Sequence, residues 1–352
     1  MTQIPKAALY YSPTSVWSAV ARLAIEEKGY GKDELDLRIV DLGKGENYNP
    51  TYLRLNPQGM SLPTVPVLVV PYENSLTDGV ESRYKALVDT TPIVEFLDKS
   101  RSALSHTHTT STAPAPALTP ATIEATTLAR SIIDLLHAER ANPNTLRYVN
   151  ARDDKSLRVL AHELLPSMQD RSHTLSDYLA QAGNGSLRVS EKVKKLWMDK
   201  LDAINVILAV FAEADKPESE LSDQAKAHRV AFFKTARQAW ETNLTEVLTQ
   251  LSKEMVGPYT LGDQMSIADL HLAGWLTRVV KLAGGSASDD GSAVAKKLEE
   301  HIGGGFVLPK DFATEQARRE NTKAEKQTKI GAFWNAMGER ESWKKVYGDG
   351  LF

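Results

Sequence analysis

A serine at the start of a predicted helix is the first residue in this sequence that could take part in chemistry. Ser15 opens the run SVWSAVARLAIEEKG (15–29), in which apolar residues recur at helical spacing and Gly29 can end the helix. A serine in this position caps N–H groups of the first turn. The same N–H groups and the helix dipole favour a negative charge. The hydroxyl is therefore either a plain helix cap or a donor to a bound anion.

A proline begins a predicted buried strand in NPQGMSLPTVPVLV (56–69). Proline at the first residue of a strand gives up no hydrogen bond of the ladder, and the Val65-Pro66 bond is a candidate for cis geometry. Val65 would then offer its backbone N–H and C=O to an extended ligand, as an added strand does. The other interpretation is an ordinary proline at the edge of a sheet.

Three polar residues fall where a predicted strand becomes a helix in LVDTTPIVEFLD (87–98). Thr90 or Thr91 can cap this helix, and its N-terminal N–H groups favour an anion such as a carboxylate. Asp89 beside them could hold an ammonium group. A corner that accepts both groups suits the end of an amino acid, whereas the simpler interpretation is a helix cap.

Two other patterns are interpreted as structural. Ser266-Ile267-Ala268-Asp269 has the spacing of a capping box, which we expect to anchor a helix. His106 and His108 have the spacing of metal ligands, but no Asp, Glu or Cys lies near them, so we expect no metal site.

Composition limits the classes of function. The chain has 352 residues, enough for two domains, and a formal net charge of -3, which does not favour nucleic acid as a partner. It has no cysteine, which excludes disulfides, thiolate nucleophiles and thiolate metal ligands. The N-terminal residues do not form a signal peptide, and no apolar run is long enough to span a membrane. We expect a cytoplasmic protein.

The predicted elements change character along the chain. Residues 1–100 show the order β-α-β-α-β-β-α, which indicates a compact α/β unit. Residues 101–121 are rich in Ser, Thr and Pro and form a predicted linker. Residues 122–352 have mostly helical patterns, with an insertion at about 284–321. We therefore expect an all-α C-terminal domain.

Taken together and in this order, these motifs resemble the cytosolic glutathione transferase family. The resemblance covers about residues 7–100, resumes at 257–283 and continues faintly at 333–347. It implies a thioredoxin-like α/β N-terminal domain and an all-α C-terminal domain. The lengthened loops, the linker and the insertion resemble serine-type fungal members and the bacterial β-etherase relatives more than the animal detoxification classes.

The resemblance implies roles for individual residues. Ser15 matches the catalytic serine that meets the sulfur of glutathione. Val65-Pro66 matches the pair that binds the cysteinyl backbone, and Asp89-Thr90, followed by Thr91, matches the residues that hold the γ-glutamyl end. Candidates for lining the site of the electrophile are Tyr11, Trp17 and His137.

The implied activity is stabilisation of the glutathione thiolate for attack on a small apolar electrophile. Glutathione is then a substrate, no metal is needed, and a homodimer is implied. Since the chain has no cysteine, it cannot form a mixed disulfide with glutathione. The alternatives are a protein that binds glutathione or another ligand without catalysis, and a glutathione-dependent enzyme that cleaves ethers.

The sequence also departs from the family's pattern. The segments 60–64 and 71–85 lengthen two loops beside the expected site. No clear lysine is available for the glycyl carboxylate, for which Lys44, Arg54 and Gln58 are the candidates. Five neighbouring residues have a hydroxyl that could contact the sulfur: Tyr11, Ser12, Thr14, Ser15 and Ser18.

Overall fold

The computed structural model describes residues 6–55, 64–71, 84–102, 110–313 and 326–352. The chain forms two compact units that alternate along the sequence. The first comprises Met1–Pro13, Lys32–Ile93 and Tyr148–Ala236, and the second comprises Thr14–Gly31, Val94–Arg147 and Arg237–Phe352. The predicted domain boundaries at residues 100 and 121 stay a prediction.

The first unit contains a mixed four-stranded sheet in the order β2-β1-β3-β4. Its strands are β1 (Ala7–Tyr11), β2 (Leu35–Ile39), β3 (Val67–Pro71) and β4 (Tyr84–Val88). Strand β1 runs parallel to β2 and antiparallel to β3, which in turn runs antiparallel to β4. Leu9 and Leu68 lie in the middle of the sheet and are completely buried, as expected for apolar strands in a core.

Within its described residues, the first unit also contains four α-helices, and the segment around Tyr48, which follows β2, packs against two of them. The four helices are α2 (Pro50–Leu53), α6 (Asp154–Gly183), α7 (Glu191–Phe211) and most of α8 (Asp223–Arg237). The indole N–H of Trp197 donates to the carbonyl oxygen of Tyr48 over 3.1 Å. Tyr178 stacks on the same indole, with ring centroids 5.1 Å apart. These contacts fix the segment before α2 against the helix pair α6–α7.

The second unit is built around one buried helix. Its other helices surround α10 (Ile267–Leu282), in which every residue from Ile267 to Val280 is buried. They are α1 (Val16–Glu27), α4 (Ile123–His137), α5 (Pro143–Tyr148), α9 (Leu244–Glu254), α11 (Gly291–Ile302), α12 (Lys329–Gly338) and α13 (Glu341–Tyr347). Helix α3 (Thr90–Ser100) begins in the first unit and continues in the second.

Helix α1 packs closely on α10 because residue 274 is a glycine. A Cβ atom at Gly274 would lie 2.6 Å from the Cγ2 of Val20 and 3.0 Å from the carbonyl oxygen of Val16. Both distances are shorter than a van der Waals contact, so a larger residue would push the two helices apart.

The far end of α1 is held by a buried carboxylate. Glu27 accepts hydrogen bonds from Arg340 Nε at 2.6 Å and Arg340 Nη2 at 2.5 Å, and also from the hydroxyl of Ser342. Its side chain is only 7% exposed. A bidentate guanidinium is the partner that best satisfies a buried carboxylate.

The C-terminal region is largely helical, as expected, and also contains a short pair of strands, β5 (Phe312–Ala313) and β6 (Lys326–Gln327). Helices α12 and α13 are separated at Glu339 and Arg340. No helix among the described residues is long and apolar enough to cross a membrane.

The predicted capping box at the start of α10 is confirmed. Asp269 accepts from the backbone N–H groups of Thr260 and Ser266, both at 2.7 Å, and from the hydroxyl of Ser266 at 2.8 Å. Burial raises the pKa of Asp269 to about 6, against the effect of these hydrogen bonds, which favour the charged form. The carboxylate joins the preceding loop to the helix.

Part of the predicted linker is fixed by a buried ion pair in the second unit. Lys28 Nζ lies 2.8 Å from Asp98 Oδ1, and their side chains are 1% and 5% exposed. Asp98 also accepts from the backbone N–H groups of Leu118 and Thr119 and from the Thr119 hydroxyl. Burial raises the pKa of Asp98, but the hydrogen bonds outweigh it, so the pKa lies below its usual value.

Removing this charge should destabilise the protein. We expect Asp98→Asn to lower the free energy of unfolding at about pH 7 by roughly 3 kcal/mol, because the Lys28 ammonium would stay buried without its counter-charge. Since the folded pKa of Asp98 is depressed, this stability is present above the unfolded pKa of about 4 and is lost as pH falls through the folded pKa. Urea unfolding at several pH values measures both effects.

The matched control is Lys99→Ala, which removes an exposed ion pair with Glu95 on helix α3. Exposed pairs contribute less than about 1 kcal/mol, so this variant should unfold almost as the wild type does. An Asp98→Asn variant with the same stability as the control would contradict the prediction.

Candidate functional site

In the first unit, two of the predicted ligand-binding segments lie side by side at one edge of the sheet. The antiparallel register pairs Val67 with Val88. Val65-Pro66, which precedes β3, therefore lies next to Asp89-Thr90, which follows β4. The Val65-Pro66 bond is cis, the geometry for which the sequence made it a candidate.

The backbone at Asp89 has an unusual conformation. Its φ angle of 76° lies in the left-handed region, and it is the single described residue other than glycine with a positive φ. A residue other than glycine in this region costs free energy, and such positions cluster at functional sites. Asp89 is exposed, whereas Thr90 is only 4% exposed and begins helix α3.

The N-terminus of α3 adds a positive end to this edge of the sheet. The helix has 11 residues and no acidic residue in its first turn. Its N–H groups and dipole therefore favour an anion, while the Asp89 carboxylate can accept from a cation. Thr91 lies in the same first turn and is half-buried. The corner can hold the carboxylate and the ammonium group of an amino acid.

The end of β1 reaches the same edge. Tyr10 pairs with Val67 in the antiparallel β1–β3 register, so Tyr11 and Ser12 follow at the level of Pro66. Tyr11 is half-buried and Ser12 is 4% exposed. Both hydroxyl-bearing residues remain candidates for a ligand contact.

Ser15 belongs to the second unit and is the N-cap of α1. Its Oγ accepts from the backbone N–H of Ser18 over 3.3 Å, and its φ and ψ of -90° and 125° are those of an extended cap residue. The hydroxyl hydrogen is not used in that bond and can be donated elsewhere. Ser15 is half-buried, whereas Ser18 is fully buried. The hydroxyl of Ser15 is therefore more accessible than that of Ser18.

Two of the three residues predicted to line the electrophile site come together in the second unit. The ring of Trp17 stacks on His137 with centroids 4.0 Å apart and an angle of 19° between the planes. Helix α1 supplies Trp17, and His137 is the last residue of α4. Tyr11 belongs to the first unit.

A buried histidine that the sequence did not indicate supports this stack. His271 Nδ1 lies 2.9 Å from His137 Nε2, and His271 is completely buried in α10. Burial, and then the nearby His137, lower the pKa of His271 to about 3. His271 is therefore neutral at physiological pH. In the sequence, His271 is a polar residue within the apolar run IADLHLAGWL (267–276). We interpret that run as a structural helix.

Arg278 is a second residue that the sequence did not indicate. Its side chain is buried in α10, where Nη2 donates to the carbonyl oxygen of Thr14 at 2.7 Å and Nε donates to the carbonyl oxygen of Phe352 at 2.8 Å. Thr14 directly precedes Ser15, so the guanidinium contacts the turn that leads into α1.

Several predicted features lie outside the described residues. They are Gln58, His106, His108 and nearly all of the lengthened loops at 60–64 and 71–85. Among the described candidates for the glycyl carboxylate, Lys44 and Arg54 are both exposed, and Lys44 lies 3.4 Å from Asp41. Within the same described ranges, no three His, Asp or Glu side chains are grouped as metal ligands.

The buried state of His271 predicts a pH dependence of stability. The unfolded pKa is about 6.5 and the folded pKa is far lower, so the unfolded chain binds the extra proton and stability falls as pH drops below about 6.5. Between about pH 6.5 and pH 5, this histidine should lower the free energy of unfolding of the wild type by about 2 kcal/mol. Replacement His271→Leu should make the loss smaller, as measured by urea unfolding.

The exposed His162 provides the control, because its side chain is 70% exposed and contacts only the surface residue Asp215 in the described contacts. A His162→Gln variant should keep the pH dependence of the wild type. If His271→Leu kept it as well, His271 would not be the group that titrates.

A family model matches the part of the chain that contains Ser15 and the Val65-Pro66 and Asp89-Thr90 segments. Residues 14–100 match the model described as "Glutathione S-transferase, N-terminal domain". This confirms the resemblance found in the N-terminal motifs and agrees with the mixed sheet observed there. A search of curated proteins finds no match.

Solved structures with a similar fold include several glutathione transferases at low identity. Glutathione transferase F2 from Populus trichocarpa is 15% identical, with 97% of each chain covered and a TM-score of 0.41. Glutathione transferase Omega 3C from Trametes versicolor is 16% identical, with 98% of this chain and 85% of that chain covered and a TM-score of 0.43. A glutathione S-transferase from Methylobacillus flagellatus, with bound GSH, is 14% identical, with 97% and 98% covered and a TM-score of 0.38.

Proposed function

Because residues 14–100 match the model of a glutathione S-transferase N-terminal domain, we propose that this chain is a glutathione transferase that binds glutathione and stabilises the thiolate for attack on a small apolar electrophile. Ser15 is the catalytic residue in this proposal. Val65-Pro66 binds the cysteinyl part of glutathione, and Asp89-Thr90 with Thr91 binds the γ-glutamyl part.

The observation that carries the proposal is the shared edge of the sheet. The register that joins Val67 to Val88 brings the backbone of Val65 beside the Asp89-Thr90 corner. One segment offers backbone groups to an extended peptide, and the other offers a helix N-terminus and a carboxylate to an amino-acid end. Glutathione has both chemical features in adjacent parts of one molecule.

Thiolate stabilisation follows from the start of α1. A cysteine thiol with a pKa of about 8.5 is mostly protonated at pH 7, although the thiolate is the nucleophile. Ser15 can donate its hydroxyl hydrogen to the sulfur while its oxygen accepts from Ser18. The thiol proton leaves to solvent, and a sulfur lone pair then forms the new bond to the electrophilic carbon, while the bond from that carbon to its leaving group breaks and the leaving group departs with the electron pair.

The electrophile site is proposed at Trp17 and His137 of the second unit, whereas the third candidate from the sequence, Tyr11, belongs to the first unit. The stacked Trp17 and His137 rings form a flat apolar surface that suits a planar substrate. His271 holds the His137 ring through its hydrogen bond. A planar electrophile is therefore a better probe than a small aliphatic one.

Removal of the Ser15 hydroxyl should affect chemistry more than binding. We expect Ser15→Ala to lower kcat with an aromatic electrophile by roughly a hundredfold. Removing one hydrogen-bond donor that stabilises negative charge at a reacting atom costs about 2.7–4 kcal/mol, and the lower value corresponds to this factor. The affinity for glutathione should stay within about threefold. Steady-state kinetics and titration calorimetry measure the two quantities.

Ser176→Ala is the matched control, because Ser176 is an exposed serine on α6 whose hydroxyl donates only to its own helix, at Ser172. It should leave kinetics unchanged. Normal turnover of Ser15→Ala would reject Ser15 and favour Tyr11, Ser12, Thr14 or Ser18. Tight binding of glutathione with no turnover of any electrophile by the wild type would favour the non-catalytic alternative.

The Asp89 corner should control affinity. Replacement Asp89→Ala removes the acceptor for the γ-glutamyl ammonium, and a lost hydrogen bond to a charged group costs about 1.5–3 kcal/mol. We therefore expect glutathione to bind roughly ten- to a hundredfold more weakly in calorimetry.

Glu95→Ala serves as the comparison, since Glu95 lies on the same helix with a side chain that is 43% exposed. Its affinity for glutathione should equal that of the wild type. Equal affinity of Asp89→Ala and the wild type would remove Asp89 from the site.

A further inference from the structure

We infer that Arg278 is a positioning residue for Ser15, and that it sets how well the enzyme stabilises the glutathione thiolate. The inference rests on the proposed function and concerns a residue on α10, 263 positions after Ser15 in the sequence. The guanidinium is only 3% exposed and donates to the carbonyl oxygen of Thr14 over 2.7 Å.

The contact acts on Ser15 through the peptide plane. The carbonyl of Thr14 and the N–H of Ser15 belong to the same planar peptide unit. Holding the Thr14 oxygen therefore fixes the orientation of that plane, and the φ angle of -90° at Ser15 then sets the direction in which its Cα–Cβ bond points. A hydroxyl has useful hydrogen-bond geometry over only a narrow range of directions.

The surroundings make the guanidinium a rigid support. Nε donates to the carbonyl oxygen of Phe352 over 2.8 Å, which fixes a second edge of the planar group. The close approach of α1 at Gly274, one turn earlier on α10, keeps the start of α1 against the same helix. Two hydrogen bonds from one planar fork and a helix contact therefore restrain the turn.

The charge of Arg278 acts in the same direction. A cation beside the carbonyl that precedes α1 adds to the positive potential at the helix N-terminus. The neighbouring titratable groups are Tyr347 on α13 and Arg22 on α1. Burial raises the pKa of Tyr347, against smaller effects of Arg22 and Arg278. Tyr347 is therefore neutral at physiological pH, so it does not cancel the charge of the guanidinium.

The test measures the ionisation of bound glutathione rather than activity alone. In Arg278→Gln we expect the apparent pKa of the bound thiol to rise by about one unit, as followed by thiolate absorbance in the ultraviolet and by the pH profile of kcat/KM. At about pH 6.5, kcat/KM for the electrophile should fall roughly tenfold, while the dissociation constant of glutathione stays within about threefold. A role confined to stability would leave the thiol pKa unchanged.

A double-mutant cycle with Ser15→Ala tests whether Arg278 acts through Ser15. In the Ser15→Ala background, Arg278→Gln should change the thiol pKa by much less than in the wild type. Equal changes in both backgrounds would overturn the inference, and so would an unchanged thiol pKa in folded Arg278→Gln.

Arg158→Gln is the control for loss of an arginine, because Arg158 is exposed on α6. If Arg278→Gln does not fold, Arg278→Lys is measured instead. We expect this variant to raise the thiol pKa by a smaller amount, and an unchanged thiol pKa would contradict the inference. A wild type that binds no glutathione would instead reject the proposed function, before Arg278 is tested.

Discussion

The complete burial of α10 is the constraint on which the second unit depends. A polar side chain that enters such a helix must find a partner within the protein, because an unsatisfied buried group costs about 1–3 kcal/mol. Four polar or charged side chains of α10 each bind another part of the unit through at least one polar atom: Asp269, His271, Thr277 and Arg278. Nε2 of His271 is buried with no hydrogen-bond partner among the described residues. Hydrogen bonds from the polar side chains of this one buried helix therefore connect it to a loop, the end of α4, helix α13 and the turn before α1.

Local patterns in the sequence were sufficient for most elements of the N-terminal region. The strands and helices of this region follow the predicted order β-α-β-α-β-β-α, and the helix that opens at Ser15 is capped by that residue. The order of the motifs also indicates a resemblance to the glutathione transferase family, and residues 14–100 match the model of that family's N-terminal domain. These features depend on neighbours within about ten residues, so that periodicity and capping rules can detect them.

The partners of buried polar groups could not be predicted in the same way. His137 and His271 are 134 positions apart, and Thr14 and Arg278 are 264 positions apart. A helical pattern places His271 and Arg278 on one helix, but it does not indicate which distant group each of them contacts. The same holds for Lys28 and Asp98, whose ion pair fixes a segment that composition alone assigned to a linker. Ser15 could be chosen from the sequence, whereas the residues that support it could not.

The two ends of α1 are secured by residues from the last part of the sequence. Glu27 binds Arg340, which lies 313 positions later, and Thr14 shares the Arg278 guanidinium with Phe352. Contacts between such distant residues form slowly, because a long loop must close before they can be made. On the ribosome, helix α1 can form early but must wait for almost the whole sequence before it is locked in place. The serine that we propose for chemistry would therefore become fully ordered among the last events of folding.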